Sequence, residues 1–112
     1  MSEFIFRGKK YLNSIELSLN IIGGKWKIPI IWRLKEGALR YGEIRKSLPK
    51  ITHKMLTQQL RELESDEIIV RKVFQEVPPK VEYNLTLLGK SVLPVIDILN
   101  EWGDQYLGVF TK

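Results

Sequence analysis

"YGEIRKSLPKITHKMLTQQLRELESD", residues 41–66, reads as two helices joined by a tight turn. The first, "YGEIRKSLP", is short and is closed by Pro49, which cannot continue a helix. The second opens on Thr52, whose side-chain oxygen can take a backbone N–H of the first turn. Leu56, Leu60 and Leu63 then recur at i, i+4 and i+7, the period of a helix with one apolar face. The spacing predicts a helix over about 52–66, near 22 Å long at ~1.5 Å per residue.

The other side of that helix is polar. With about 100° of turn per residue, His53, Lys54, Thr57, Gln58 and Arg61 share an arc of roughly 140°. These side-chain types suit a DNA groove. Arg and Lys bond guanine edges or phosphates, Gln can bond adenine bidentately, and Thr can meet a phosphate or a thymine methyl. Positive charge flanks the arc: Lys50 before it, Arg45 and Lys46 on the preceding helix, Arg71, Lys72 and Lys80 after it. The acidic residues Glu62, Glu64, Asp66 and Glu67 gather toward the helix end.

After Asp66 the period changes. "IIVRKVFQEV" and "KVEYNL" are rich in β-branched and aromatic residues, with Pro78 and Pro79 supplying a turn. They predict a two-stranded hairpin. Toward the N-terminus, "ALRY" reads as a stub of strand, and "KWKIPIIWRLK" as a helix stopped by Gly37. "NSIELSLNII" reads as a helix capped by Asn13 or Ser14 and ended by Gly23 and Gly24. The first dozen residues read as an arm. At the other end, Thr86 caps a long helix, expected to bend or break near Pro94 and Gly103. A short helix, a turn, a second helix and a hairpin make a winged helix-turn-helix. The fold class is therefore α+β, mainly α, in one domain over 1–112, with the recognition helix at about 52–66, the wing at about 69–85 and further helices at about 13–22 and 87–110.

The whole chain agrees with that reading. It has 112 residues, 44% hydrophobic and 28% charged, as an ordinary globular domain has. Its net charge of +5 favours an anionic partner such as nucleic acid or a membrane surface. It holds no cysteine, so thiolate catalysis, cysteine–zinc sites and thiol redox sensing by this chain are excluded. "MSEFIFRGKK" does not read as a secretion signal, and no apolar run reaches the roughly 20 residues of a membrane span. A cytoplasmic protein without membrane attachment is expected.

Catalysis and metal binding lack their residues. His53 is the single histidine, and no carboxylate loop of calcium-binding type accompanies it. A catalytic His53 would need an adjacent nucleophile and an orienting carboxylate, and no such elbow exists. "IIGGKW" carries only the Gly-Lys of a phosphate loop, followed by Trp26, and reads as a helix-to-helix corner, with Trp26 and Trp32 in the core. No enzyme activity and no cofactor are expected. His53 is left as a DNA-facing polar contact, as a merely exposed histidine, or as a ring packed on the preceding loop.

The motifs resemble the HxlR family of bacterial winged-helix regulators, relatives of the MarR-type regulators. The resemblance runs from about Asn13 to Gly103, on "IIGGKW" (21–26), "LRYGEIRKSLPKITHKMLTQQLRELESDEII" (39–69), "EVPPKVEYNLT" (76–86), "LG" (88–89) and "EWG" (101–103). It implies a homodimeric transcription factor with its recognition helix at Thr52–Asp66, its wing at Ile69–Leu85, and its first and last helices in the dimer interface. Members of the family often carry a cysteine just before the first helix. The matching position here is Asn13, so any signal this protein answers is not thiol oxidation.

Residues and resemblance together predict a homodimer on a roughly palindromic operator in double-stranded DNA, its recognition helices in major grooves about 34 Å apart. Lys50, Thr52, His53, Lys54, Thr57, Gln58, Arg61, Arg71, Lys72 and Lys80 are the expected DNA contacts, with Pro79 and Lys80 at the wing tip. Ile15, Leu19, Ile96, Leu99, Trp102 and Tyr106 are the expected dimer contacts. A small-molecule effector is compatible with this architecture, and no residue of the sequence singles one out. The alternative is a winged-helix protein-interaction module without DNA binding. An acidic or apolar recognition face would favour it, and the face here is basic and polar.

Overall fold

A computed structural model describes residues 2–111. The N-terminal residues form a hairpin, β1 (Phe4–Phe6) against β2 (Lys9–Tyr11), where the sequence reading expected an arm. Its two-residue turn places Arg7 (φ 51) and Gly8 (φ 76) in the left-handed region, as tight hairpins require. Tyr11 is buried, and Arg7 reaches Asp66 at 2.6 Å, which ties the hairpin to the body. The arm signal misled because three-residue strands are too short to show alternation.

Helix α1 (Ser14–Ile22) starts where Asn13 accepts the N–H of Glu16, and it ends at Gly23. Gly24 follows at φ 85, a conformation that turns the chain into α2 (Lys27–Arg33). Pro29 is the third residue of α2, where its missing N–H has no intrahelical partner to lose. Strand β3 (Leu39–Arg40) leads into α3 (Tyr41–Ser47), and α4 runs His53–Ser65 with Thr52 accepting the N–H of Met55. The strands β4 (Ile69–Phe74) and β5 (Lys80–Leu85) are antiparallel. β3 joins the far side of β5, so the sheet has three strands in the order β3-β5-β4, one more than the predicted hairpin.

The predicted terminal helix is two. A single turn, α5 (Leu87–Lys90), is capped by Thr86 and is followed at once by α6 (Leu93–Phe110). The break precedes Pro94, as a helix-breaking proline demands. Gly103 and Gly108 lie inside α6 without interrupting it, because each glycine costs a helix only about 1 kcal/mol. Gly89 is obligatory for another reason. A Cβ there would lie 2.1 Å from the Ile68 carbonyl oxygen, so the α5 turn can sit against the backbone at Ile68, just before β4, only without a side chain.

One core joins these elements: Ile30, Ile31 and Leu34 of the α2 segment, Ile44 and Leu48, Leu56, Leu60 and Leu63 of α4, Ile69, Leu85, and Val92 with Ile96. Trp26 and Trp32 pack against it, partly buried.

Candidate nucleic-acid interface

The three leucines of α4 are buried to 2% exposure or less, and this fixes what the opposite side presents. His53, Lys54, Gln58 and Arg61 are exposed, and Thr57 is half-buried between them. The five line one depression of about 510 Å³ together with Glu62. A second depression, of about 560 Å³, lies between α4 and the sheet. Tyr41, His53, Thr57, Arg61, Glu64, Arg71 and Tyr83 are among its walls. The polar arc predicted from helical period is thus assembled as one surface beside the wing.

Thr52 spends a lone pair on capping α4, which leaves its hydroxyl hydrogen free. His53 does not stand alone. The Tyr41 hydroxyl and His53 Nδ1 share a hydrogen bond, the same hydroxyl donates to the His53 carbonyl at 3.2 Å, and the two rings meet edge to face at 5.3 Å. The ring is held against Tyr41 of α3 through Nδ1, while the residue itself stays exposed.

The cations divide by their engagement. Lys50, Lys54, Arg61, Arg71 and Lys72 form no ion pair among the described residues. Arg71 and Lys72 do not act as a pair. Side chains alternate along a strand, so Arg71 shares a face with its cross-strand neighbour Tyr83, toward α4, and Lys72 lies with Glu82 on the other face. Lys80 is not at the wing tip. It opens β5 opposite Phe74, with Nζ 3.3 Å from Glu82 and 4.8 Å from the Phe74 ring. The tip is residues 75–79.

Two residues of this surface, and one beneath it, escaped the sequence reading. Tyr41 gave no signal, because its link to His53 depends on how α3 crosses α4. Glu62, assigned to the acidic helix end, instead lies within the polar surface and accepts from Gln58 Nε2 at 3.1 Å. Its other oxygen accepts from Lys27 Nζ at 2.8 Å. Lys27 is 7% exposed, the one buried charged residue among those described. It had a signal. Lys27, Ile30, Ile31 and Leu34 follow the apolar period of α2, and a lysine in such a stripe requires a partner. The Glu62 carboxyl is held below its usual value, chiefly by the hydrogen bond from Lys27, which outweighs the opposing effect of burial, with a lesser contribution from the Gln58 hydrogen bond.

The expected dimer residues also divide. Ile15, Leu19, Leu99, Trp102 and Tyr106 are exposed, Trp102 at 61%. Ile96 is a correction: it is 7% exposed and packs in the chain's own core, because the first turns of α6 still lie on α2. From Asp97 onward every described residue of α6 is exposed.

No group of three or more His, Cys, Asp or Glu among the described residues is arranged to hold a metal ion, and no described helix is long and apolar enough to cross a membrane.

Residues 21–110, from the end of α1 to the end of α6, match the family described as HxlR-like helix-turn-helix. The chain belongs to that family. An HTH-type transcriptional regulator of Methanothermobacter thermautotrophicus is 56% identical over 97 residues, 87% of this chain and 74% of that protein. YtcD of Bacillus subtilis, also an HTH-type transcriptional regulator, is 50% identical over 99 residues, 88% of this chain and 79% of that one. The crystal structure of YtcD superposes with a TM-score of 0.82 at 47% identity, covering 86% of this chain and 98% of that one. The reduced form of the redox regulator HypR superposes with a TM-score of 0.82 at 44% identity, covering 88% and 97%. This HxlR-like chain has no cysteine, and Asn13, at the position expected from the resemblance to hold one, caps α1 instead.

Proposed function

We propose that this HxlR-like chain is a sequence-specific DNA-binding transcriptional regulator that acts in the cytoplasm as a homodimer on a roughly palindromic operator. The observation that carries the proposal is the exposed arc of His53, Lys54, Thr57, Gln58 and Arg61 on α4, beside the wing and opposite the buried leucines. Such a helix end enters a major groove, with donors and acceptors toward base edges and the flanking cations toward phosphates. Lys50, Lys54, Arg61 and Arg71, with Lys72 and Lys80, supply the salt-dependent part of the affinity. Thr52, His53, Thr57, Gln58 and Arg61 read bases, and Lys72 and Lys80 meet the backbone beyond the half-site. The exposed apolar stripe of α6, with Ile15 and Leu19 of α1, pairs two chains and sets the half-site spacing.

Selection of bound duplex from a randomised pool at two salt concentrations tests this. The expected result is a two-fold-related consensus whose affinity falls steeply with salt. A pool with no enriched sequence would overturn the proposal and favour a protein-interaction module.

A further inference from the structure

Lys27, Glu62 and Gln58 form a chain of contacts from the core to the recognition surface. The first link spans 35 residues, from the start of α2 to the third turn of α4. Lys27 is buried beside Ile30 and Ile31, so its ammonium has little solvent to turn to and stays on Glu62. Glu62 uses its two oxygens separately, Oε1 for Lys27 and Oε2 for Gln58. An ionised carboxylate only accepts hydrogen bonds. The Gln58 side chain therefore has to turn its NH2 group, not its carbonyl, toward Glu62. What remains for the exposed surface is one N–H and the carbonyl oxygen, a donor and an acceptor side by side. Adenine offers the complement in the major groove, an acceptor at N7 and a donor at N6, and guanine offers acceptors only.

Resting on the DNA-binding reading above, we infer that Lys27 and Glu62 are positioning residues that set the base preference of Gln58 to adenine. Neither touches a base. Glu62→Gln then makes a specific prediction. A glutamine at 62 turns its carbonyl to the buried Lys27, which only donates, and so presents NH2 to Gln58. Gln58 must answer with its carbonyl and expose both N–H donors, the pattern that suits N7 and O6 of guanine. Lys27→Met leaves an apolar chain of similar length in the core and frees Glu62 to swing into solvent, so the orientation of Gln58 is loosened without being reversed.

The test is selection from a randomised duplex pool, run in parallel for the wild type, Gln58→Ala, Glu62→Gln and Lys27→Met, each first shown by thermal melting to be folded. Gln58→Ala identifies the position that Gln58 reads, where the wild type prefers adenine by roughly 5- to 100-fold. At that position Glu62→Gln is expected to move the preference from adenine toward guanine, and Lys27→Met to flatten it. All other positions keep their preferences. A Glu62→Gln protein that retains the adenine preference overturns the inference and leaves the DNA reading intact. If Glu62→Gln does not fold, an unchanged preference in Lys27→Met overturns it equally. A wild type that enriches no sequence overturns the DNA reading and this inference with it.

Discussion

Arg71 and Lys72 are adjacent in the chain and lie on opposite faces of the wing. Arg71 is a wall of the depression that also holds Arg61 of α4, and Lys72 pairs across the strands with Glu82. The two charges are therefore unequal in effect. Arg71→Ala is expected to weaken operator binding and to reduce the slope of log affinity against log salt by about one, the signature of one lost phosphate contact. Lys72→Ala is expected to do less, because Lys72 lies on the face of the wing turned away from α4. Titrations of both variants at several salt concentrations measure the difference. Equal losses would mean that the wing does not present its α4 face to the backbone.

Tyr41 holds His53 by Nδ1 and by the backbone carbonyl. Tyr41→Phe keeps the ring and removes the hydroxyl, so the imidazole loses its anchor while α3 keeps its packing. A hydrogen bond of this kind contributes about 0.5–1.5 kcal/mol, and operator affinity is expected to fall by roughly two- to tenfold. His53→Ala in the Tyr41→Phe background should add little further loss, since the contact has already been disordered. Full additivity of the two changes in binding titrations would show that the side chains act independently.

The helices and the wing were legible because their signals are local. A cap at Thr52, leucines at helical spacing and a proline turn lie within a few residues of one another, and α4 runs as its leucines dictate. Arg71 and Lys72 show the limit. The sequence placed both on the wing, and only the register of β4 against β5 assigns each a face. The Lys27–Glu62 pair lay further out of reach. Helical period marked Lys27 as a core position, but its partner is set by the crossing of α2 and α4, which no local pattern encodes. Ile96 failed for the same reason. Its spacing continues the stripe of Leu99 and Trp102, and the packing of α2 divides that stripe into a buried start and an exposed remainder.

Glu67 occupies the left-handed region at φ 59, where the chain leaves α4. The backbone N–H of Ile68 returns to the Leu63 carbonyl at 2.9 Å, a helix ending in which glycine is the usual residue. Glu67→Gly removes the Cβ strain, although it adds freedom to the unfolded chain. The balance is expected to favour the folded protein by about 1 kcal/mol, seen as a rise in melting temperature. A fall would mean that the Glu67 side chain makes compensating interactions.

The Glu62 carboxyl sits below its ordinary value of 4.5 in the folded chain. For a carboxyl lowered on folding, the stabilisation is fully present above the unfolded value and is lost as pH falls through the folded one. The stability difference between the wild type and Glu62→Gln should therefore be level from about pH 6 to 8 and shrink as the solution is acidified below 4.5. Urea unfolding at stepped pH measures it. A difference that grows in acid would contradict the ion pair with Lys27.

The α6 helix leaves an apolar and aromatic surface exposed. Trp102 stacks on Tyr106 at 5.5 Å, and Tyr106 meets Phe110 at 5.1 Å, with Leu99 and Leu107 exposed alongside. The radius of gyration is 16.2 Å, against about 13 Å for a compact domain of this length, because α6 projects from the body. Each large aromatic buries on the order of 150–250 Å² when covered, so a second copy laid along this ladder gains a substantial apolar contact. Trp102→Glu combined with Tyr106→Glu places two like charges one turn apart in that contact, outside the core built by Ile30, Leu56 and Ile96. Sedimentation is expected to show the wild type at twice the chain mass of 13.1 kDa and the double variant at the single mass, each with a similar helical signal. The variant should bind an isolated half-site as before and lose the added affinity of two half-sites on one duplex. A double variant that still sediments as a pair would move the dimer contact away from α6.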